Sequence, residues 1–253
     1  MAAAHTPPPK DETDPRVAVG RPAGVGATSY GIAALSLLDL GYQPLPIKPA
    51  AKTPAPTRWS SVVIDEAQVE AWGVAFPAHG VGLRTGGLVG IDIDILDPDP
   101  AHAAEAVARR VLGETPLLRV GLWPKRLLIY RTDAPFRKLQ VPGLEILGQG
   151  QQFVAFGIHP GTGQPYHWPE GDTPLDVAFD DLPRVVEGQC AILAAEIAAL
   201  SPDAQSRSGG RREPSGVRWG ESRKVFTAED GERSRRAPPD TRPVGWDRAA
   251  VCG

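Results

Sequence analysis

Residues 81–95 read VGLRTGGLVGIDIDI, an apolar strand pattern that carries two carboxylates, Asp92 and Asp94, two positions apart. Successive side chains of a β-strand point to opposite faces, so residues separated by one position share a face. A strand over residues 88–95 would therefore place the two aspartates side by side. Adjacent anions are unfavourable unless a cation or basic groups neutralise them. Because carboxylates and substrate phosphates are common Mg²⁺ ligands, the pattern indicates a metal site that handles phosphates.

A third carboxylate, Glu145, stands alone in the apolar segment LEIL at 144–147. Three carboxylates from two neighbouring strands can bind one or two Mg²⁺ or Mn²⁺ ions, and such ions position a nucleoside triphosphate and neutralise its phosphates. Arg126 and Arg131 lie five positions apart on one predicted strand, so they face opposite ways, and we expect Arg126 to reach the site. The basic candidates for phosphate contacts are Lys48, Lys52, Arg84, Lys125, Arg126 and Arg131.

The composition is that of an ordinary globular protein, with 253 residues, 42% hydrophobic residues and a formal net charge of −3. No apolar stretch reaches the ~20 residues that span a membrane, and the N-terminus has no secretory signal pattern. Cys190 and Cys252 are too few for a disulfide framework. We therefore expect a cytoplasmic protein. A slightly acidic body also argues against binding that relies on coating duplex DNA with basic groups.

Three regions follow from the pattern along the chain. Residues 1–26 and 201–253 are rich in Pro, Gly and charged residues without apolar periodicity, which predicts a disordered arm and a disordered tail. Residues 27–200 form the predicted domain. Its order of helix, strands, crossover helix, further strands and final helix predicts an α+β fold with helices on a mostly antiparallel sheet. The strands predicted at 143–147 and 151–156 flank GQG and are expected to form a hairpin.

The motifs, in their order and spacing, resemble the bifunctional DNA primase/polymerase (prim-pol) domain of the archaeo-eukaryotic primase superfamily. The resemblance covers roughly residues 28–200. The similar segments are LGYQPLPIKPAAKTP at 40–54, GIDID at 90–94, PKRLLIYR at 124–131, LEILG at 144–148, QFVA at 152–155, IHP at 158–160 and YHW at 166–168.

The resemblance implies an RRM-like primase palm with a mixed, mostly antiparallel sheet, plus a small N-terminal α/β unit. It implies template-directed nucleotidyl transfer by a two-metal mechanism in DNA replication, on a single-stranded DNA template and with nucleoside triphosphates. Asp92, Asp94 and Glu145 would then be the catalytic ligands of Mg²⁺ or Mn²⁺. His159 joins the candidates for nucleotide contact. Such domains often precede a helicase, so a replicative helicase is a further candidate partner, although the sequence contains no GxxxxGK[ST] motif.

One position departs from the family pattern. The basic motif usually carries a His that contacts the incoming triphosphate, and Leu127 stands at the corresponding position. Lys125 or Arg126 could supply the missing contact. The alternative is a module that keeps the fold but has lost catalysis, and that serves as a nucleic-acid-binding or regulatory module. A metal-dependent nuclease or glycosyltransferase that uses the two aspartates is a third alternative, but it leaves the basic hairpin and residues 158–168 unexplained.

Overall fold

A computed structural model describes residues 28–200 of the chain, so the arm and tail predicted from the sequence lie outside the described residues. Within this range the chain forms four α-helices, a short 3₁₀ turn at Phe179–Asp181 and eight strands. The helices are α1 (Tyr30–Asp39), α2 (Glu66–Ala75), α3 (Pro98–Leu112) and α4 (Glu187–Leu200). The strands are β1 (Pro44–Ile47), β2 (Gly80–Arg84), β3 (Leu88–Ile93), β4 (Leu118–Arg119), β5 (Arg126–Arg131), β6 (Leu139–Val141), β7 (Leu144–Leu147) and β8 (Gln152–Phe156).

The strands form two sheets, one with the order β1-β2-β8 and one with the order β4-β5-β3-β7-β6. Every strand pairing in both sheets is antiparallel. The predicted α+β class is therefore confirmed. The N-terminal part contributes α1, α2, β1 and β2, and its sheet is completed by β8, which follows the larger sheet in the chain.

The hairpin predicted between residues 143–147 and 151–156 is wrong. Both edges of β7 are already paired, with β3 on one side and β6 on the other, so β8 leaves and joins β2 in the smaller sheet. The chain crosses between the sheets at Gly148, where an added Cβ would lie 2.2 Å from the carbonyl oxygen of Phe136. Thr85, the residue directly after β2, holds the crossing beside the smaller sheet, because its backbone N–H donates to the Gln151 carbonyl over 2.9 Å.

The five-stranded sheet buries both of its faces. Helices α3 and α4 pack on the face that carries Ile91, Ile93, Leu128 and Ile146. The opposite face, with Leu127, packs against α1, α2 and the smaller sheet. Alternation along β3 therefore directs its odd-numbered residues toward the helices, and Asp92 toward the opposite side. Among residues 28–200, no helix is both long enough and apolar enough to cross a membrane.

The starts of α2 and α3 follow local sequence signals. Asp65 Oδ1 accepts a hydrogen bond from the Gln68 backbone N–H over 2.9 Å at the start of α2. Asp97 caps α3 in the same way through the Asp99 N–H, and Pro98 occupies the first helical turn, where a missing N–H costs no hydrogen bond. The DPDP segment at residues 97–100 is therefore the beginning of α3, only a few residues after β3.

Candidate active site

One row of cross-strand partners crosses the larger sheet and carries four of its polar side chains, Arg119, Asp92, Glu145 and Gln140. Arg119 in β4 lies opposite Leu127 in β5, and Leu127 lies opposite Asp92 in β3. Asp92 in turn lies opposite Glu145 in β7, which is paired with Gln140 in β6. Cross-strand partners share a face, and their Cβ atoms lie about 4.5–5.5 Å apart. The pairing therefore places Asp92 and Glu145 side by side and puts Arg119 on the same face.

Asp94 lies one residue beyond the end of β3. The strand predicted over residues 88–95 is thus two residues too long, because β5 begins at Arg126, opposite Ile93, and offers no partner further along. The backbone N–H of Asp94 instead donates to the Gly143 carbonyl over 2.9 Å. Asp94 and Glu145 still line one open groove of about 350 Å³, together with residues 140–144 of the β6–β7 hairpin.

Lysines neutralise two of the three carboxylates. Lys125 Nζ forms an ion pair with Asp94 Oδ1, and Lys138 Nζ lies 2.8 Å from Glu145 Oε2. Lys138 was not predicted from the sequence, where it resembles any loop lysine. Asp92 is different, since no hydrogen bond to its carboxylate is formed within residues 28–200.

The surroundings of Asp92 make its ionised form unfavourable without a cation. Burial raises the pKa of the Asp92 carboxyl above its usual range, and the negative charges of Asp94 and Glu145 raise this pKa further. Arg119 and Lys52 act in the opposite direction but do not reverse the shift. A carboxylate that is desolvated and faces two further carboxylates is the environment that a bound cation stabilises.

The carboxylates fit a hard divalent cation, although they are not gathered around one point. Among residues 28–200, no three Asp, Glu, His or Cys side chains are close enough together to bind a metal ion as they stand. The ion pairs with Lys125 and Lys138 direct Asp94 and Glu145 toward these lysines. The donor set consists of carboxylate oxygens, which are the protein ligands that Mg²⁺ and Mn²⁺ prefer. The electrostatic repulsion at Asp92 is a second observation consistent with such a cation.

His159 lies in a buried loop near this row. Its Nδ1 accepts hydrogen bonds from the backbone N–H groups of Gly161 over 3.1 Å and Thr162 over 3.2 Å, so the neutral ring carries its proton on Nε2. Burial lowers the pKa of His159, and the positive charges of Lys52, Arg119 and Lys125 lower this pKa further. His159, Lys52 and Lys125 therefore share one basic neighbourhood with Asp92.

Arg126 does not lie at this site. Its partner in β3 is Ile93, so its side chain points to the helix face, where it is 0% exposed and forms an ion pair with Glu105. Its Nε donates to the Pro124 carbonyl over 2.9 Å. Arg131 shares the face of Asp92 but lies four residues along β5 from Leu127. The expectation that Arg126 reaches the site therefore does not hold, because the register places Leu127 beside Asp92.

Arg84 and Lys48 have other surroundings. The Nη1 of Arg84 donates to the Val62 carbonyl over 2.7 Å, and its Nε donates to Gln43 Oε1 over 2.7 Å, so this guanidinium ties down the segment before α2. Burial lowers the pKa of Arg84. Lys48 is exposed and lines a cavity of about 170 Å³ beside Ser29 and His79. No contact of the described residues joins either side chain to the three carboxylates.

Arg119 is, with Lys138, a residue of this neighbourhood that was not predicted from the sequence. Its guanidinium is buried and lies 4.6 Å from the centroid of the Tyr166 ring. Its sequence signal was available, because Arg119 is the lone charged residue in the apolar run LLRV at 117–120. The same signal identified Glu145.

Comparison with known families agrees with this geometry. The family model described as bifunctional DNA primase/polymerase, N-terminal, matches residues 34–185, which is more than half of the chain and includes every side chain of the site described above. No curated protein matches the sequence at a significant level. The family implies nucleotidyltransferase activity in general, with DNA and nucleotides as substrates. On the strength of this match, the chain belongs to the family of bifunctional DNA primase/polymerase N-terminal domains.

Proposed function

We propose that this domain is an active primase/polymerase that adds nucleotides to a 3′-hydroxyl on a single-stranded DNA template during DNA replication. The observation that carries the proposal is the pairing of Asp92 with Glu145 on neighbouring strands, with Asp94 lining the same groove as Glu145. Three carboxylates in this arrangement match the acidic ligands that nucleotidyl transfer requires.

Asp92, Asp94 and Glu145 would bind the Mg²⁺ or Mn²⁺ ions. When bound, such ions stabilise the negative charge of the transferring phosphate and lower the pKa of the attacking hydroxyl. In the structure, Lys125 forms an ion pair with Asp94, and Lys138 forms an ion pair with Glu145. Once these carboxylates bind cations, the two ammonium groups become free to contact the phosphates or the template strand.

Lys52, Lys125 and His159 are the predicted nucleotide contacts that the fold brings near Asp92. The charges of Lys52 and Lys125 lower the pKa of His159, and the charge of Lys52 also lowers that of Asp92 against the effect of burial, which supports a place for these groups beside the acidic row. The Nε2–H of His159 is the ring's remaining donor, because Nδ1 is used within its own loop. We assign these three side chains to binding of the triphosphate. Arg84 and Arg126 instead stabilise the fold.

Primer synthesis and primer extension with Mn²⁺ or Mg²⁺ test the proposal. We expect Asp92→Asn and Glu145→Gln each to lower the rate at least about a hundredfold, since each removes a metal ligand. Asp133→Asn and Glu196→Gln are the matched controls, because these carboxylates form ion pairs with arginines away from the site. Full activity of Asp92→Asn, or no product from the wild type on any template, would contradict the proposal.

The second candidate function is a binding module that keeps the fold without catalysis. Leu127 favours it, because this buried apolar side chain lies between Arg119 and Asp92 at the position where the family's basic motif usually carries a His. Calorimetry with a nucleoside triphosphate and Mn²⁺ separates the two functions. An active domain binds the nucleotide in a metal-dependent way that Asp92→Asn removes. A degenerate module binds single-stranded DNA but shows no metal-dependent nucleotide binding.

A further inference from the structure

Gln152 connects the loop that carries Lys52 to the smaller sheet. Gln152 lies in β8, and its Nε2 donates a hydrogen bond to the Lys52 backbone carbonyl over 2.7 Å, although 100 positions separate the two residues. The loop also has a hydrogen bond of its own, in which the Lys48 N–H donates to the Thr53 carbonyl over 3.0 Å. That internal bond closes the loop, whereas the bond from Gln152 fixes residue 52 relative to β8.

The backbone of this loop is held in a conformation that is costly for a residue with a Cβ. Ala50 has a φ of +48°, in the left-handed region that favours glycine. Such residues persist where the surrounding structure fixes the chain. The carbonyl of Lys52, only two residues further on, is one of the points at which the structure fixes it.

Gly82 leaves the space in which the Gln152 side chain lies. An added Cβ at position 82 would lie 2.9 Å from Gln152 Oε1 and 2.7 Å from the Cδ1 of Ile47. Gln152 and Val154 share a face of β8, because they are separated by one position, and Val154 packs with Ile47 and Tyr166. Gln152 thus lies on the face of the smaller sheet that Tyr166 contacts.

The charge of Lys52 acts on two groups of the candidate active site. Burial lowers the pKa of His159 and Lys52 lowers it further, whereas burial raises the pKa of Asp92 and Lys52 opposes this shift. His159 belongs to the same side of the smaller sheet as Gln152, since its ring lies 5.3 Å from that of Tyr166. Lysine carries its charge on a flexible aliphatic stem, so the place of its backbone limits where the ammonium can act. A fixed residue 52 therefore keeps this charge beside the acidic row.

We propose that Gln152 is a positioning residue, whose carboxamide holds the backbone of Lys52 so that the lysine ammonium faces the triphosphate of the bound nucleotide. The proposal rests on the proposed polymerase function, in which Lys52 contacts that triphosphate. The donor end of the amide carries the role, because the Oε1 of Gln152 is buried and accepts no hydrogen bond within the described residues. An apolar side chain of similar size removes the tether and this unpaired acceptor together, so it should leave the unfolding free energy nearly unchanged.

Titration of His159 by NMR, with the signal assigned through His159→Asn, tests the tether without metal, nucleotide or turnover. Lys52→Met should raise the pKa of His159, because one of the positive charges that lower it is removed. Gln152→Met should raise this pKa by a smaller amount, and the double variant should titrate like Lys52→Met alone. Gln151→Met is the matched control, because Gln151 is the adjacent half-buried glutamine and its Nε2 donates to the neighbouring Gly150 carbonyl instead.

Kinetics then test the consequence for the nucleotide. Gln152→Met should raise the nucleotide KM by about two- to tenfold, the loss expected for one hydrogen bond, and should lower kcat less. In the Lys52→Met background the same substitution should have little further effect on the KM. A glutamine with only a structural role would instead lower the unfolding free energy and leave the KM unchanged.

The two measurements distinguish this inference from the proposed function. An unchanged His159 pKa in a folded Gln152→Met overturns the tether, even if the enzyme polymerises. An unchanged His159 pKa in Lys52→Met overturns it as well, because Lys52 then lies elsewhere. A raised pKa in both variants of a protein that makes no product supports the positioning of Lys52 and refutes the polymerase. If Gln152→Met does not fold, Gln152→Leu decides in the same way.

Discussion

Asp92 and Glu145 are directly opposed residues of two antiparallel strands, β3 and β7. Like charges in this position destabilise a sheet, and here only Glu145 has a neutralising neighbour, Lys138, at 2.8 Å. The domain without metal therefore carries electrostatic repulsion in the middle of its larger sheet. This repulsion has consequences for stability as well as for catalysis.

The first prediction concerns stabilisation by metal. We expect Mn²⁺ at a hundred times its dissociation constant to raise the free energy of unfolding by about 2.7 kcal/mol, and we expect Asp92→Asn to lose most of this gain. Without metal, Asp92→Asn should be slightly more stable than the wild type at neutral pH, because burial and two carboxylates raise the pKa of Asp92. Urea denaturation with Mn²⁺ or with a chelator measures both effects. Equal responses of Asp92→Asn and the wild type to Mn²⁺ would contradict the assignment of Asp92 as a ligand.

The second prediction concerns the lysine on Glu145. Lys138 competes with a cation for this carboxylate, so Lys138→Met should tighten Mn²⁺ binding by about two- to fivefold, which corresponds to the strength of a partly exposed ion pair. Arg137→Met is the control, because Arg137 is the residue next to Lys138 and its exposed side chain carries the same charge. Titration with Mn²⁺ followed by electron paramagnetic resonance gives both affinities. Weaker binding in Lys138→Met would show that the lysine supports the metal site rather than competing with the cation.

The third prediction concerns pH. Burial, with the neighbouring charges of Lys52, Arg119 and Lys125, lowers the pKa of His159 in the folded protein below that of the unfolded chain. The unfolded state therefore binds more protons in this window, so the contribution of neutral His159 is complete above about pH 6.5 and is lost as the pH falls through the folded value. His159→Asn retains an acceptor for the Gly161 N–H but does not titrate. Unfolding free energies at pH 8 and pH 5 should differ less in His159→Asn, and an equal difference would contradict the role of His159.

The fourth prediction separates structure from nucleotide binding at Arg126. The Arg126 side chain is 0% exposed and pairs with Glu105, so Arg126→Met should destabilise the domain by about 3–5 kcal/mol because it leaves a buried carboxylate with less compensation. The double variant Arg126→Met/Glu105→Met should recover part of this loss. Denaturation gives the energies, and the nucleotide KM of the folded protein should stay unchanged. Wild-type stability combined with a raised KM would instead place Arg126 at the nucleotide.

The fifth prediction concerns the crossing between the sheets. A methyl group at position 148 would meet the Phe136 carbonyl oxygen at 2.2 Å, so Gly148→Ala should lower the unfolding free energy by more than about 2 kcal/mol. Gly188→Ala is the opposite case, because nothing lies within 4 Å of a Cβ in this turn of α4, and alanine should stabilise the helix by about 0.5–1 kcal/mol. Similar effects of the two substitutions on the denaturation midpoint would argue against a close approach at Gly148.

Local patterns in the sequence were sufficient to predict the α+β class and the strand that carries Asp92. The alternation around Asp92 and the lone charge at Glu145 are properties of short segments, as are the capping residues Asp65 and Asp97. Such signals depend on side-chain period and backbone hydrogen bonding within a few residues. The order of the motifs was likewise sufficient to identify the family, and the match over residues 34–185 confirms this identification.

The tertiary structure decided which side chains meet. The register of β5 against β3 sets Leu127, not Arg126, beside Asp92, and a shift of one residue would exchange their faces. The departure of β8 to the smaller sheet and the place of Arg119 in the acidic row also depend on strand partners distant in the chain. The sequence by itself determined most of the strand segments and the places of Asp92 and Glu145 on them, whereas Asp94 lies one residue beyond β3. Only the folded sheet selected the basic groups beside them, because strand pairing depends on long-range contacts that no local period specifies.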